Sequence, residues 1–94
     1  MAHRVEWSRR ALKDLESIAD YIAVDSPTYA GIVVKKVINQ TKTLASFPRA
    51  GRKVPEFDDE NIRELLVYSY RVIYRLQGDA IMIASVIHGK RILQ

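Results

Sequence analysis

Two apolar stretches meet at Gly78-Asp79, and no other feature of the sequence constrains the fold as much. Residues 70–77 (YRVIYRLQ) alternate basic or polar with apolar side chains, and residues 80–87 (AIMIASVI) are apolar almost throughout. Two such runs, separated by two residues with glycine first, read as a β-hairpin whose first loop residue takes a positive φ. With Gly78 and Asp79 as the loop, Arg75 faces Met82, Ile73 faces Ala84 and Arg71 faces Val86, and His88 falls opposite Ser69. Strand side chains alternate, so Arg71, Arg75 and His88 are expected on one face of the sheet. Tyr70, Val72, Tyr74, Leu76, Ile81, Ile83 and Ile87 are expected on the other. Apolarity on both faces marks 80–87 as the central strand.

The remaining periodicities supply what covers the apolar face. Residues 3–7 (HRVEW) alternate and read as a short strand. From Ser8 the period becomes helical: Ala11, Leu12, Leu15, Ile18, Ala19 and Ile22 form one stripe, with Arg9, Arg10, Lys13, Asp14 and Asp20 opposite. Asp25-Ser26-Pro27 stops this helix and starts another, with a hydroxyl cap followed by proline in the first turn. The second stripe runs Ala30, Val33, Val34, Val37, Ile38, Thr41, Leu44 and Ala45, and ends at Phe47-Pro48. Helices over 8–24 and 27–46 with so short a link form an antiparallel hairpin. Residues 48–61 read as loop, and 62–68 as a further strand. The expected architecture is α+β, in the order β-α-α-β-β-β, with the helical hairpin on one face of a small, mainly antiparallel sheet. Leu12, Leu15, Ile18, Ile22, Val34, Ile38, Val72, Tyr74, Ile81 and Ile83 are its expected core.

Ninety-four residues make one domain, 1–94. There is no cysteine, which removes disulfides, thiolate nucleophiles and Cys-based metal sites. Two histidines are too few to suggest zinc, and no metal or cofactor is expected. No stretch reaches the roughly 20 apolar residues of a membrane helix, and Glu6, Arg9 and Arg10 interrupt any early apolar run. A cytoplasmic protein without a membrane partner is expected. The net charge of +4 suits nucleic acid, an acidic protein or an ordinary basic surface. Its placement is more informative, because Arg71, Arg75 and His88 lie on the uncovered face of the sheet and form a cluster with Lys90 and Arg91. Such a cluster suits phosphate or carboxylate, although charged side chains on a solvated sheet face are also commonplace.

Several motifs lie in order along nearly the whole chain: W-S-x-R-A-L-K-D-L-E-x-I-A-D-Y-I from Trp7, F-P-R-A-G-R from Phe47, V-P-E from Val54, I-R-E-L from Ile62, Y-R-V-I-Y-R from Tyr70 and V-I-H-G-K-R-I-L from Val86. In this the chain resembles the RelE/ParE superfamily of toxins from type II toxin-antitoxin modules. The resemblance implies a toxin neutralised by a cognate antitoxin, which lies along the helical hairpin and near the sheet edge. Operator DNA would be met only through the toxin-antitoxin complex.

The superfamily implies two chemistries. RelE-like and YoeB-like members cut messenger RNA on the ribosome. That reaction needs a base, a leaving-group acid and positive charge for the phosphorane. Arg71 and Arg91 match cationic positions of that pattern, and Glu56 and His88 are its possible proton carriers. Two lysines of the RelE pattern would fall at Ile62 and Glu64, and its late tyrosine would fall beyond Gln94, so all three are missing. ParE-like members poison DNA gyrase by binding, and the long helical hairpin, the V-P-E loop and the H-G-K-R ending look most like them. On that reading Arg63, Arg71, Arg75, His88, Lys90 and Arg91 form the target-binding set. A third possibility is a non-toxic remnant that binds only an antitoxin.

Overall fold

The computed structural model describes residues 3–91 and Leu93. In chain order the elements are β1 (Arg4–Trp7), α1 (Arg9–Ala23), α2 (Pro27–Lys42), a 3-10 turn (Thr43–Ala45), β2 (Arg52–Lys53), β3 (Ile62–Val67), β4 (Tyr70–Gln77) and β5 (Ala80–His88). The five strands form one sheet in the order β1-β5-β4-β3-β2. β1 is parallel to β5, and the other pairs are antiparallel. The expected order holds, with one short strand, β2, added inside the segment read as loop. The central strand is β4, not β5. Apolarity on both sides reports that a strand is flanked and covered. β5 meets that condition in second place, because the four residues of β1 close its outer edge.

Both helices begin where the hydroxyl caps predict. The Ser8 side chain accepts from the Ala11 amide at 3.0 Å, and Ser26 accepts from the Tyr29 amide at 3.1 Å, with Pro27 in the first turn. Each cap satisfies one of the amides a helix start leaves unpaired. The core is built from Ala11, Leu15, Val33, Val37, Leu44, Val67, Val72, Tyr74, Ile81, Ile83 and Val86. Ile18, Ile22, Val34 and Ile38 pack at its margin. Leu12, expected inside, is 54% exposed. The buried stripe of α1 runs through Ala11 and Leu15, and Leu12 stands one residue, about 100°, off it.

The hairpin follows the expected register only at first. Gly78 takes φ +61°, and Gln77 pairs with Ala80, Leu76 with Ile81, Arg75 with Met82 and Tyr74 with Ile83. A β-bulge then intervenes. Ile73 pairs with Ser85, Val72 with Val86, Arg71 with Ile87 and Tyr70 with His88. The expected pairing of Arg71 with Val86 and the placement of His88 on the arginine face are thereby overturned. The inserted residue turns His88 onto the face of Tyr70, against whose ring it stands edge-on with centroids 5.9 Å apart.

Two side chains of the N-terminal segment accept the bulge. A bulge leaves backbone groups without ladder partners, and buried ones need substitutes. The Ser8 hydroxyl donates to the Ala84 carbonyl at 3.0 Å, and the Asp14 carboxylate accepts the Val86 amide at 3.0 Å. Ser8 therefore caps α1 and satisfies the bulge at once. The opening motif around Ser8 and Asp14 thus has a structural purpose more than seventy residues away.

F-P-R-A-G-R has one as well. The fully buried Tyr74 donates its hydroxyl to the Pro48 carbonyl and accepts the Gly51 amide, each at 2.9 Å. A Cβ on Gly51 would stand 2.5 Å from the Glu64 carbonyl oxygen and 2.7 Å from the Tyr74 hydroxyl, so only glycine fits this approach. No helix among the described residues is long and apolar enough to cross a membrane.

Candidate functional site

The face of the sheet away from the helices carries Glu64, Leu66, Arg71, Ile73 and Arg75 from β3 and β4. It is not an open basic surface. The V-P-E loop and the C-terminal residues fold over its centre, and Arg71 is 4% exposed beneath them. Its guanidinium is surrounded by acceptors. Nε donates to Glu64 Oε1 at 2.6 Å. Nη1 donates to Glu56 Oε2 and to the Arg91 carbonyl, both at 2.7 Å. Nη2 donates to Glu56 Oε1 at 2.7 Å and stands 2.6 Å from Glu64 Oε1. Glu64 is fully buried and takes a second cation, Arg52, at 2.5 Å. The four residues form a neutral network of two cations and two carboxylates. Every buried side-chain polar atom among the described residues has a partner.

Glu56 joins this network to the chain end. Its Oε2 also accepts the Leu93 amide at 3.0 Å. The Arg71 hydrogen bonds and then this amide hold its carboxyl down at about 2, below the ordinary 4.5. A carboxylate so stabilised is a weak base at neutral pH. The same Glu56 hydrogen bonds push Arg71 above its ordinary value, so it stays charged.

A cleft of about 680 Å³ opens beside the network, where β4 begins and β5 ends. It is lined by Arg52, Glu56 and Arg71 of the network, by Leu66, Tyr68 and Tyr70, and by His88, Lys90 and Arg91. The four candidate catalytic residues, Glu56, Arg71, His88 and Arg91, thus come to one place. The His88 Nδ1 accepts the Lys90 amide at 3.2 Å. Among the described residues no group of three or more His, Cys, Asp or Glu side chains could hold a metal.

Two candidates lie elsewhere. Arg63 points to the helix side of β3. It donates to the Gly51 carbonyl, the Glu60 carbonyl and the Glu60 carboxylate at 2.9 Å each, and ties the loop down. Arg75 is exposed on the helix-free face near the hairpin turn, outside the cleft. The sequence reading missed Glu64, Arg52, Leu66 and Tyr68. One signal was available for Glu64: the ladder places it diagonal to Arg71 on a shared face, where a carboxylate pairs with a guanidinium.

The likeness suggested by the motifs extends over the chain. A family model described as the ParE toxin of type II toxin-antitoxin system, parDE, matches residues 5–93. The chain belongs to the ParE toxin family. It is a toxin of a type II toxin-antitoxin system, within the RelE/ParE superfamily, and a cognate antitoxin is its implied partner. Toxin RelE2 of Caulobacter vibrioides is 31% identical over 90 residues, spanning 95% of this chain and 98% of that protein. Among solved structures, the chromosomal ParDE system of P. aeruginosa superposes with a TM-score of 0.76 at 24% identity, covering 93% of this chain and 96% of that one. E. coli toxin RelE in the free state gives 0.68 at 19% identity, covering 96% and 86%. The α+β fold is common to both.

Proposed function

We propose that this toxin acts in the cytoplasm by binding a protein target, DNA gyrase, in the manner of the ParE-like branch, and that it catalyses no phosphodiester cleavage. The observation that carries this reading is the state of Arg71. A catalytic arginine needs N–H groups aimed at the charge that develops in the transition state. All three nitrogens of Arg71 are already engaged by Glu56, Glu64 and the Arg91 carbonyl. The partner carboxylate Glu56, held at about 2, is unsuited to accept a proton at neutral pH. Exposed at the cleft are Arg52, His88, Lys90, Arg91 and an apolar rim, which is the composition of a contact surface.

The nuclease reading rests on one observation, the gathering of Glu56, Arg71, His88 and Arg91 around a single cleft. It requires Arg71 to exchange Glu56 for a scissile phosphate. Purified toxin separates the two readings. With gyrase and plasmid DNA, loss of supercoiling and trapped cleavage complexes support the gyrase reading. With programmed ribosomes, cuts within the reading frame of the message support the nuclease. Inactivity in both assays, with tight antitoxin binding retained, corresponds to the remnant.

A further inference from the structure

Tyr68 is the one residue other than glycine described with a positive φ, +52°. It is the first of the two residues, Tyr68 and Ser69, that join β3 to β4. The next hairpin gives a control within the same chain, because the equivalent position there is Gly78, at φ +61°. Left-handed backbone is unfavourable for an ordinary L-residue, and a bulky aromatic is an outlier there. Glycine or asparagine would relieve the cost. Strain of this kind persists where surrounding contacts hold it, and it concentrates at functional sites. Here the contacts are visible. The Gly89 amide donates to the Ser69 carbonyl at 2.6 Å, and the Tyr29 ring stands 6.3 Å from that of Tyr68.

The strain gains little burial. Tyr68 is 54% exposed and its neighbour on the rim, Leu66, is 59% exposed. Both border the cleft that Lys90 and Arg91 also line. A rigid exposed aromatic beside a leucine, in a cleft with unburied cations, is the pattern of an interface hot spot awaiting a partner. The charge defines that partner. Arg71 and Glu56 cancel each other, and Arg52 is committed to Glu64, which leaves Lys90 and Arg91 as the cleft's outward charge.

Building on the proposed binding mode, we infer that Tyr68 is the anchor through which the toxin grips its protein target, and that the target segment presents an apolar side chain beside a carboxylate. The turn sets Tyr68 at the border of the cleft, with its ring 6.3 Å from that of Tyr29. Leu66 and the ring take the apolar group, and Lys90 and Arg91 take the acid.

Tyr68→Gly tests this, because the substitution suits the backbone and the fold should survive it. The expected result is a melting temperature within about 2 °C of wild type or higher, unchanged affinity for the antitoxin, and at least tenfold weaker binding to purified gyrase. Tyr68→Phe, which keeps the ring, should bind gyrase within about threefold of wild type. Two results overturn the inference while leaving the gyrase reading intact. One is wild-type gyrase binding by Tyr68→Gly. The other is a melting temperature lowered by more than about 5 °C, which would show that the ring is kept for stability. If wild-type toxin itself fails to bind gyrase, the proposed function falls first and the anchor role falls with it.

Discussion

Glu56 closes over the guanidinium of Arg71 with two hydrogen bonds of 2.7 Å, and the same carboxylate holds the Leu93 amide at 3.0 Å. One acidic side chain from a loop thus ties a central strand to the end of the chain. The consequence for Arg71 is structural. Removing the guanidinium leaves Glu64, fully buried, with Arg52 as its remaining cation. Breaking a buried pair in this way costs about 3–5 kcal/mol. Urea unfolding of Arg71→Ala should show a loss of that size. A loss below about 1 kcal/mol would mean that Arg52 alone compensates the Glu64 charge.

Acid should open the same network. The folded value of Glu56 lies below its unfolded value, so the folded state binds fewer protons. The stability contributed is fully present above about 4.5 and is lost as pH falls toward about 2. Melting temperature should therefore decline through that window. Glu56→Gln should flatten the decline, with little change in slope above pH 6. An identical acid limb in both proteins would assign the loss to other carboxylates.

The bulge in β5 depends on Ser8 and Asp14. Asp14→Ala leaves the Val86 amide without its acceptor, and an orphaned buried donor costs about 1–3 kcal/mol. Amide exchange at Val86 should accelerate by at least tenfold, with exchange at Ile81 and Ile83 rising only by the global loss of stability. Equal acceleration along the strand would show that Asp14 supports the whole helix–sheet contact and not the bulge.

Local chemistry explains which parts of the fold were legible in the sequence. The caps at Ser8 and Ser26, the helical hairpin and the Gly78-Asp79 turn are specified by residues next to one another. Those expectations match the structure to within a few residues. The bulge is specified by hydrogen bonds from Ser8 and Asp14, remote in sequence, and strand alternation carries no trace of it. One inserted residue then moved His88 to the other face. Of the candidate residues, Glu56, Arg71, His88, Lys90 and Arg91 meet at one cleft, whereas Arg63 and Arg75 lie outside it. The electrostatics of the cleft were not legible. Counting cations suggested an exposed basic face, whereas Glu64, which a missing lysine made conspicuous only as an absence, neutralises it from below. Tyr68 carries no sequence signal, because a tyrosine between two strands looks like strand until its φ is known.

The central claim is that this toxin binds and does not cleave. His88 is the residue on which the two chemistries differ most, since a nuclease would use an imidazole at the cleft to carry a proton and a binding protein would not. The most direct measurement expresses wild-type toxin and His88→Gln without antitoxin, and maps both gyrase-linked DNA breaks and cut sites in messenger RNA. Breaks that accumulate with both proteins to within about threefold, and messages left intact, are the predicted result. Codon-positioned cuts in messenger RNA from the wild type that disappear in His88→Gln, with no gyrase-linked breaks, would contradict it.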